Sequence, residues 1–111
     1  MNALIRILSL LAMVCIGIGA QAKAPEIAME EFMVPAVDPG IRLYVRNKHP
    51  QGVQEFPGDK IVLFVHGATY PAETAFDLKL NGMSWMDYIA RHGYDVYLVD
   101  LRGFGRSANR N

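Results

Sequence analysis

The chain is poor in cysteine, in charge imbalance and in long apolar runs. Cys15 is the one cysteine in 111 residues, so no intrachain disulfide can form and zinc has no thiolate set. The three histidines, His49, His66 and His92, fall at no metal-ligand spacing, and no metal site is expected. Eleven basic residues balance eleven acidic ones, which removes the electrostatic case for nucleic acid or an anionic membrane as partner. The bases stand singly, at Arg42, Arg46, Lys48, Lys60, Lys79, Arg91, Arg102, Arg106 and Arg110, where a phosphate-tracking surface would cluster them. The apolar run over residues 7–20 is fourteen residues long, short of the roughly twenty that span a bilayer.

What is present at the front is an export pattern. Arg6 supplies a positive flank, residues 7–20 form the apolar stretch, and Ala20-Gln21-Ala22 places small residues where a signal peptidase inspects them. The expectation is a signal peptide over residues 1–22, cleaved before Lys23, with no stable membrane anchor afterwards and a periplasmic or secreted product. Ala12-Met13-Val14 puts no small residue next to Cys15, which argues against a lipid-modified cysteine. Cleavage after Ala22 removes the thiol and suits an oxidising compartment.

Residues 23–31 are polar, contain Pro25 and read as a flexible lead-in. Residues 32–37 form a short apolar run whose internal Pro35 assigns it to a sheet edge. Asp38-Pro39-Gly40 is turn chemistry, and residues 41–46 alternate apolar with polar, so the two segments read as an antiparallel hairpin. Residues 47–59 carry Pro50, Gly52, Pro57 and Gly58 and read as a surface loop. Residues 60–65 and 94–99 are apolar on both faces, as parallel strands covered on both sides are. Between them Ser84 and Asp87 have capping-box spacing, Trp85, Met86, Ile89 and Ala90 form a helical stripe, and Gly93 suits the residue past a helix end. Strand, helix, strand is a βαβ crossover. Residues 67–82 read as a long connection with Pro71 and little helical pattern.

Ligands of open α/β sheets bind beyond the carboxyl ends of the strands. Two motifs stand there: His66-Gly67-Ala68, and Asp100-Leu101-Arg102-Gly103-Phe104-Gly105-Arg106-Ser107. A glycine in the first turn lets backbone N–H groups face the crevice, where each stabilises a developing oxyanion by a few kcal/mol. The ordered set V-L-F-V-H-G, S-W at a helix start and H-G-Y-D-V-Y-L-V-D-L-R-G-F-G-R-S resembles the α/β-hydrolase family over residues 32–107. The resemblance implies a three-layer α/β sheet, an antiparallel hairpin followed by a parallel βαβ unit, truncated after the fourth strand. Residues 32–111 would be the N-terminal part of such a domain.

It also implies that Gly67 makes the oxyanion turn and Ala68 gives one oxyanion-hole N–H. His66 would be a brace and not a base. Asp100, Arg102, Gly103, Gly105 and Ser107 would form the structural turn after the fourth strand. Neither G-x-S-x-G nor G-x-D-x-G occurs, and Ser107 lacks the strand-turn-helix setting of a nucleophile. The parent is expected to hydrolyse a small ester or related molecule through a covalent intermediate, on serine or aspartate, without a cofactor, the fragment alone being inactive.

Two other readings stay open. Gly103-Phe104-Gly105-Arg106-Ser107-Ala108 satisfies a dinucleotide fingerprint, but Asp100 would oppose the phosphates, and the ribose-binding acid, expected about twenty residues on, would lie outside these 111 residues. A non-catalytic binding module on a hydrolase-like fold is the second. Of the remaining side chains, Tyr70, Phe76 and Trp85 read as core, Glu73 and Asp77 as solvated, and His92 as a helix C-terminal residue.

Overall fold

The computed structural model describes residues 19–107, so most of the expected signal peptide lies outside the described residues. Four strands, β1 (Ile27–Pro35), β2 (Arg42–Pro50), β3 (Ile61–Val65) and β4 (Asp95–Val99), form one mixed sheet in the order β1-β2-β4-β3. Two short helices, α1 (Ala72–Phe76) and α2 (Trp85–Arg91), lie between β3 and β4.

The hairpin forms as expected. β1 and β2 pair antiparallel with Phe32 opposite Val45, and the turn closes through the Ala36 N–H donating to Ile41 O at 2.8 Å. β1 is an edge strand, which accommodates Pro35. It begins at Ile27, however, so five residues of the expected lead-in are strand. Their register places Ile27 against the core and Glu31 opposite Arg46. β2 likewise runs on to Pro50, where a loop was expected from residue 47. Its polar side chains are drawn into the interior by partners distant in sequence.

β4 pairs antiparallel with β2 and parallel with β3, with Val62 opposite Val96 and Phe64 opposite Leu98. Residues opposite one another share a face, so Tyr44, Val96, Leu98, Val62 and Phe64 look the same way. Ala72, Phe76, Met86, Ile89 and Ala90 pack there. Met86, Ala90, Val96 and Leu98 have no exposed surface, and burial of the three larger side chains contributes on the order of 1.5–3 kcal/mol each.

The capping box is realised in α2. Ser84 Oγ accepts from the Asp87 N–H at 2.9 Å, and an Asp87 oxygen accepts from the Ser84 N–H at 3.2 Å. Gly93 ends the helix at φ +88°, a backbone region that disfavours a side chain. The long connection is more ordered than its sequence suggests: Pro71 precedes α1, and Asn81-Gly82 makes a reverse turn between Leu80 and Met83.

Cover on both faces of β3 is not seen among the described residues. Both helices lie on one side, while Ile61, Leu63 and Val65 on the other are about half exposed. The architecture is a small α/β arrangement with a four-stranded mixed sheet and one helical layer.

Candidate active-site turn

Val65 and Val99 are parallel neighbours, so the segments leaving β3 and β4 emerge side by side. The first carries His66-Gly67-Ala68, the second Asp100 to Ser107. His66 is buried and links the two. The Leu101 N–H donates to His66 Nε2 at 2.9 Å, so that nitrogen must present its lone pair. The proton therefore sits on Nδ1, 2.6 Å from the carbonyl oxygen of Gly67. The imidazole is tilted against Phe104, ring centres 4.7 Å apart. With both nitrogens engaged, His66 has no free site for abstracting a proton.

This grip has a geometric consequence for Ala68. In a trans peptide the carbonyl and the following N–H point in opposite directions, and no described peptide bond is cis. Holding Gly67 O toward His66 therefore turns the Ala68 N–H away from it. That N–H donates to no backbone or side-chain acceptor among the described residues. The Ala68 N–H is thus an oriented donor without an internal partner at the carboxyl end of β3.

The second turn is built around two buried polar side chains. Asp100 Oδ1 accepts from the Ala72 N–H at 2.8 Å, and Oδ2 from the Arg106 N–H at 3.0 Å. Ser107 Oγ accepts from the Tyr44 N–H at 2.7 Å and donates to Asp100 O at 2.7 Å. The loop carrying Ala68 is thus held at one end by Leu101 and at the other by Asp100. Gly105, at φ +47°, lies against the Asp100 carboxylate, and a Cβ there would approach Pro71 Cβ to 2.8 Å. Gly103 also has positive φ, +84°. Arg102 reaches out to Asp38 at 3.2 Å, an exposed pair tying this turn to the hairpin.

A buried ionic cluster lies under the helical layer. Arg46 meets Asp77 at 2.6 Å and Glu31 at 2.6 Å, while Lys48 bridges Asp77 and Asp87 at 2.6 Å each. Ser84 Oγ donates to Asp77 at 2.6 Å, and Arg106 reaches Glu31 at 2.8 Å and Glu73 at 3.2 Å. Hydrogen bonds from Tyr44, Arg46 and Arg106 pull the Glu31 carboxyl down to about 2. Burial, then the Glu31 carboxylate, pushes the Tyr44 hydroxyl up to about 12. For Asp87, burial opposes ionisation, but Lys48 and the Ser84 N–H together outweigh it and hold the carboxyl below its ordinary value. Arg46 is likewise held cationic: burial works against its charge, and Asp77 and Glu31 outweigh it.

The fold therefore brings together His66, Gly67, Ala68, Asp100, Gly103, Gly105 and Ser107, and leaves Arg102 on the surface. Asp77, expected in solvent, is buried between Arg46 and Lys48; Glu73 is half exposed and paired. Of the bases that stand singly in sequence, Arg46, Lys48 and Arg106 converge on shared carboxylates. One signal for this was legible: Tyr44, Arg46 and Lys48 alternate along one strand face. Trp85 is 57% exposed with its ring 4.9 Å from Phe64, and Tyr70 is exposed, so neither is a core residue. Phe76 does pack on the core, stacked on Phe64 at 4.3 Å. His92 accords with its reading, Nδ1 lying 2.7 Å from Tyr88 O in the last helical turn. Among the described residues no group of three or more His, Cys, Asp or Glu could hold a metal ion. No described helix is long and apolar enough to cross a membrane. No protein-family model matches the chain, and a comparison with curated proteins finds no relative.

Proposed function

We propose that the chain supplies half of an oxyanion hole to an exported enzyme of the α/β-hydrolase family. The carrying observation is the unengaged Ala68 N–H, turned away from His66 by the hold on Gly67 O. When a nucleophile adds to a substrate carbonyl, negative charge gathers on the oxygen, and a fixed N–H stabilises it without reorganising. His66 orients that donor and takes no proton. Asp100 and Ser107 hold the loop and do not touch substrate.

The substrate is a small organic molecule, an ester or a related compound, and no cofactor is required. The nucleophile, serine or aspartate, its acid and its histidine would come from sequence outside these 111 residues. A leader over residues 1–22 directs the protein to the periplasm or beyond the cell, and a mature N-terminus at Lys23 is expected on sequencing.

The test uses the reading frame continued past Asn111. A G-x-S-x-G or G-x-D-x-G segment is expected after the next buried strand. Replacing Ala68 by proline in that protein removes the N–H and should lower kcat for a p-nitrophenyl ester about 10²–10³-fold. Unchanged turnover in Ala68→Pro, or neither Ser nor Asp at the elbow, would overturn the proposal. The latter would leave a binding protein on the same fold.

A further inference from the structure

On the sheet face opposite the helices, the loop after β2 borders, with β1, β2 and β4, an open recess of about 400 Å³. Glu30, Asn47, His49, Phe56, Asp95 and Tyr97 line it, and no Lys or Arg does. Its volume falls at the small end of the range for small-molecule sites, about 300–1,000 Å³.

Most of the polar groups facing it can accept hydrogen bonds, and Gln54 and the Tyr97 hydroxyl can donate as well. Asn47 is 5% exposed, and its amide is oriented unambiguously, because Nδ2 donates to Asp95 Oδ1 at 2.6 Å and to Val96 O at 3.2 Å. Its amide oxygen receives no hydrogen bond from any described residue. That oxygen is also not sealed, since no described side-chain N or O atom is both fully buried and unpartnered. Its lone pairs therefore open onto the recess. Glu30 forms no ion pair among the described residues, and Asp95 adds a second carboxylate. His49 Nδ1 lies 3.0 Å from Pro50 O, an oxygen that can only accept, so Nδ1 carries a proton. Phe56 stands edge-on to His49 at 5.9 Å, and Tyr97 completes an aromatic wall.

Two carboxylates, an unpaired amide oxygen and aromatic walls complement a cation that donates hydrogen bonds and carries an apolar body. We propose that this recess binds the primary ammonium group of a small aryl or alkyl amine, held between Glu30, Asp95 and the Asn47 amide oxygen. The site lies on the other face of the sheet from the helices that contact the Asp100 turn, and it does not depend on the oxyanion reading.

The test is a titration of the full ¹⁵N-labelled chain with benzylammonium chloride, with benzyl alcohol as the neutral match of the same shape. Saturable amide shifts are expected at Asn47, Asp95 and Tyr97, and the alcohol should bind at least about tenfold more weakly, since charge-assisted hydrogen bonds are the strong ones. Glu30→Gln alters a surface side chain without an internal ion pair, and should weaken the ammonium about tenfold while leaving the spectrum otherwise folded. Phe56→Ala should weaken both ligands alike. Shifts scattered away from the recess, equal binding of alcohol and ammonium, or unchanged affinity in Glu30→Gln would each overturn the proposal.

Discussion

Ser107 offers the sharpest test of how this fold is held together. Its side chain is 1% exposed and serves two backbone groups at once, accepting from the Tyr44 N–H and donating to Asp100 O, both at 2.7 Å. Ser107→Ala removes one oxygen and strands a buried donor and a buried acceptor. Leaving such a group unpaired costs about 1–3 kcal/mol, and a carbonyl with a second lone pair tolerates it better than an N–H. The summed loss should be about 2–4 kcal/mol, a large part of the stability of a small domain. For a domain of this size each kcal/mol lowers Tm by roughly 4–8 °C, so a drop of at least about 8 °C is expected. Urea unfolding followed by the single tryptophan, Trp85, reads the loss. Hydrogen exchange at the Tyr44 amide should accelerate with it. Arg102→Ala, which breaks only the exposed pair with Asp38, should change stability by less than about 1 kcal/mol. A Ser107→Ala protein within about 0.5 kcal/mol of the parent chain, or one whose Tyr44 amide stays protected, would refute the assignment.

Further outcomes follow from the same geometry. Asp77→Asn leaves Arg46 and Lys48 buried without their shared carboxylate and should cost about 3–5 kcal/mol in urea unfolding. Gly105→Ala drives a methyl into the Asp100 carboxylate and Pro71 at a positive φ, and should destabilise by about 1–3 kcal/mol; a neutral effect would show that the turn adapts freely. Between about pH 2 and 12 two contributions to stability should be lost, one at each end. Glu31 has its pKa depressed from 4.5 to about 2, so its contribution is present above 4.5 and lost as pH falls toward 2. Tyr44 has its pKa raised from 10.0 to about 12, so its contribution is present below 10 and lost as pH rises toward 12. Urea midpoints measured across that range check both arms, and Glu31→Gln should flatten the acid one.

The two turns were more legible than the strand boundaries. A histidine and a glycine directly after an apolar strand mark a turn, and the motif opening with Asp100 marks another. Parallel pairing of β3 and β4 then puts the two together. The helix start at Ser84 was equally plain, because a capping box is a local device needing only two side chains three residues apart. β2 was cut short because Asn47 and Lys48 carry no strand preference; only Asp95, Asp77 and Asp87, far along the chain, make burial tolerable for them. The start of β1 was missed for the same reason, since Glu31 is a strand residue by virtue of Arg46 and Tyr44.

What the sequence determined alone is whatever depends on neighbours within a few residues: the hairpin turn, the cap of α2, its termination at Gly93 and the strand-to-turn boundary at His66. What the tertiary structure decided is where polar atoms may be buried, because a charge can leave water only if a distant partner meets it. That condition placed Asp77 inside, closed Asp100 and Ser107 into a brace, and fixed the imidazole of His66 between Leu101 and Gly67. Hence Ala68 was a candidate from its position in the chain, while the direction of its N–H was settled by a hydrogen bond to the carbonyl one peptide plane before it.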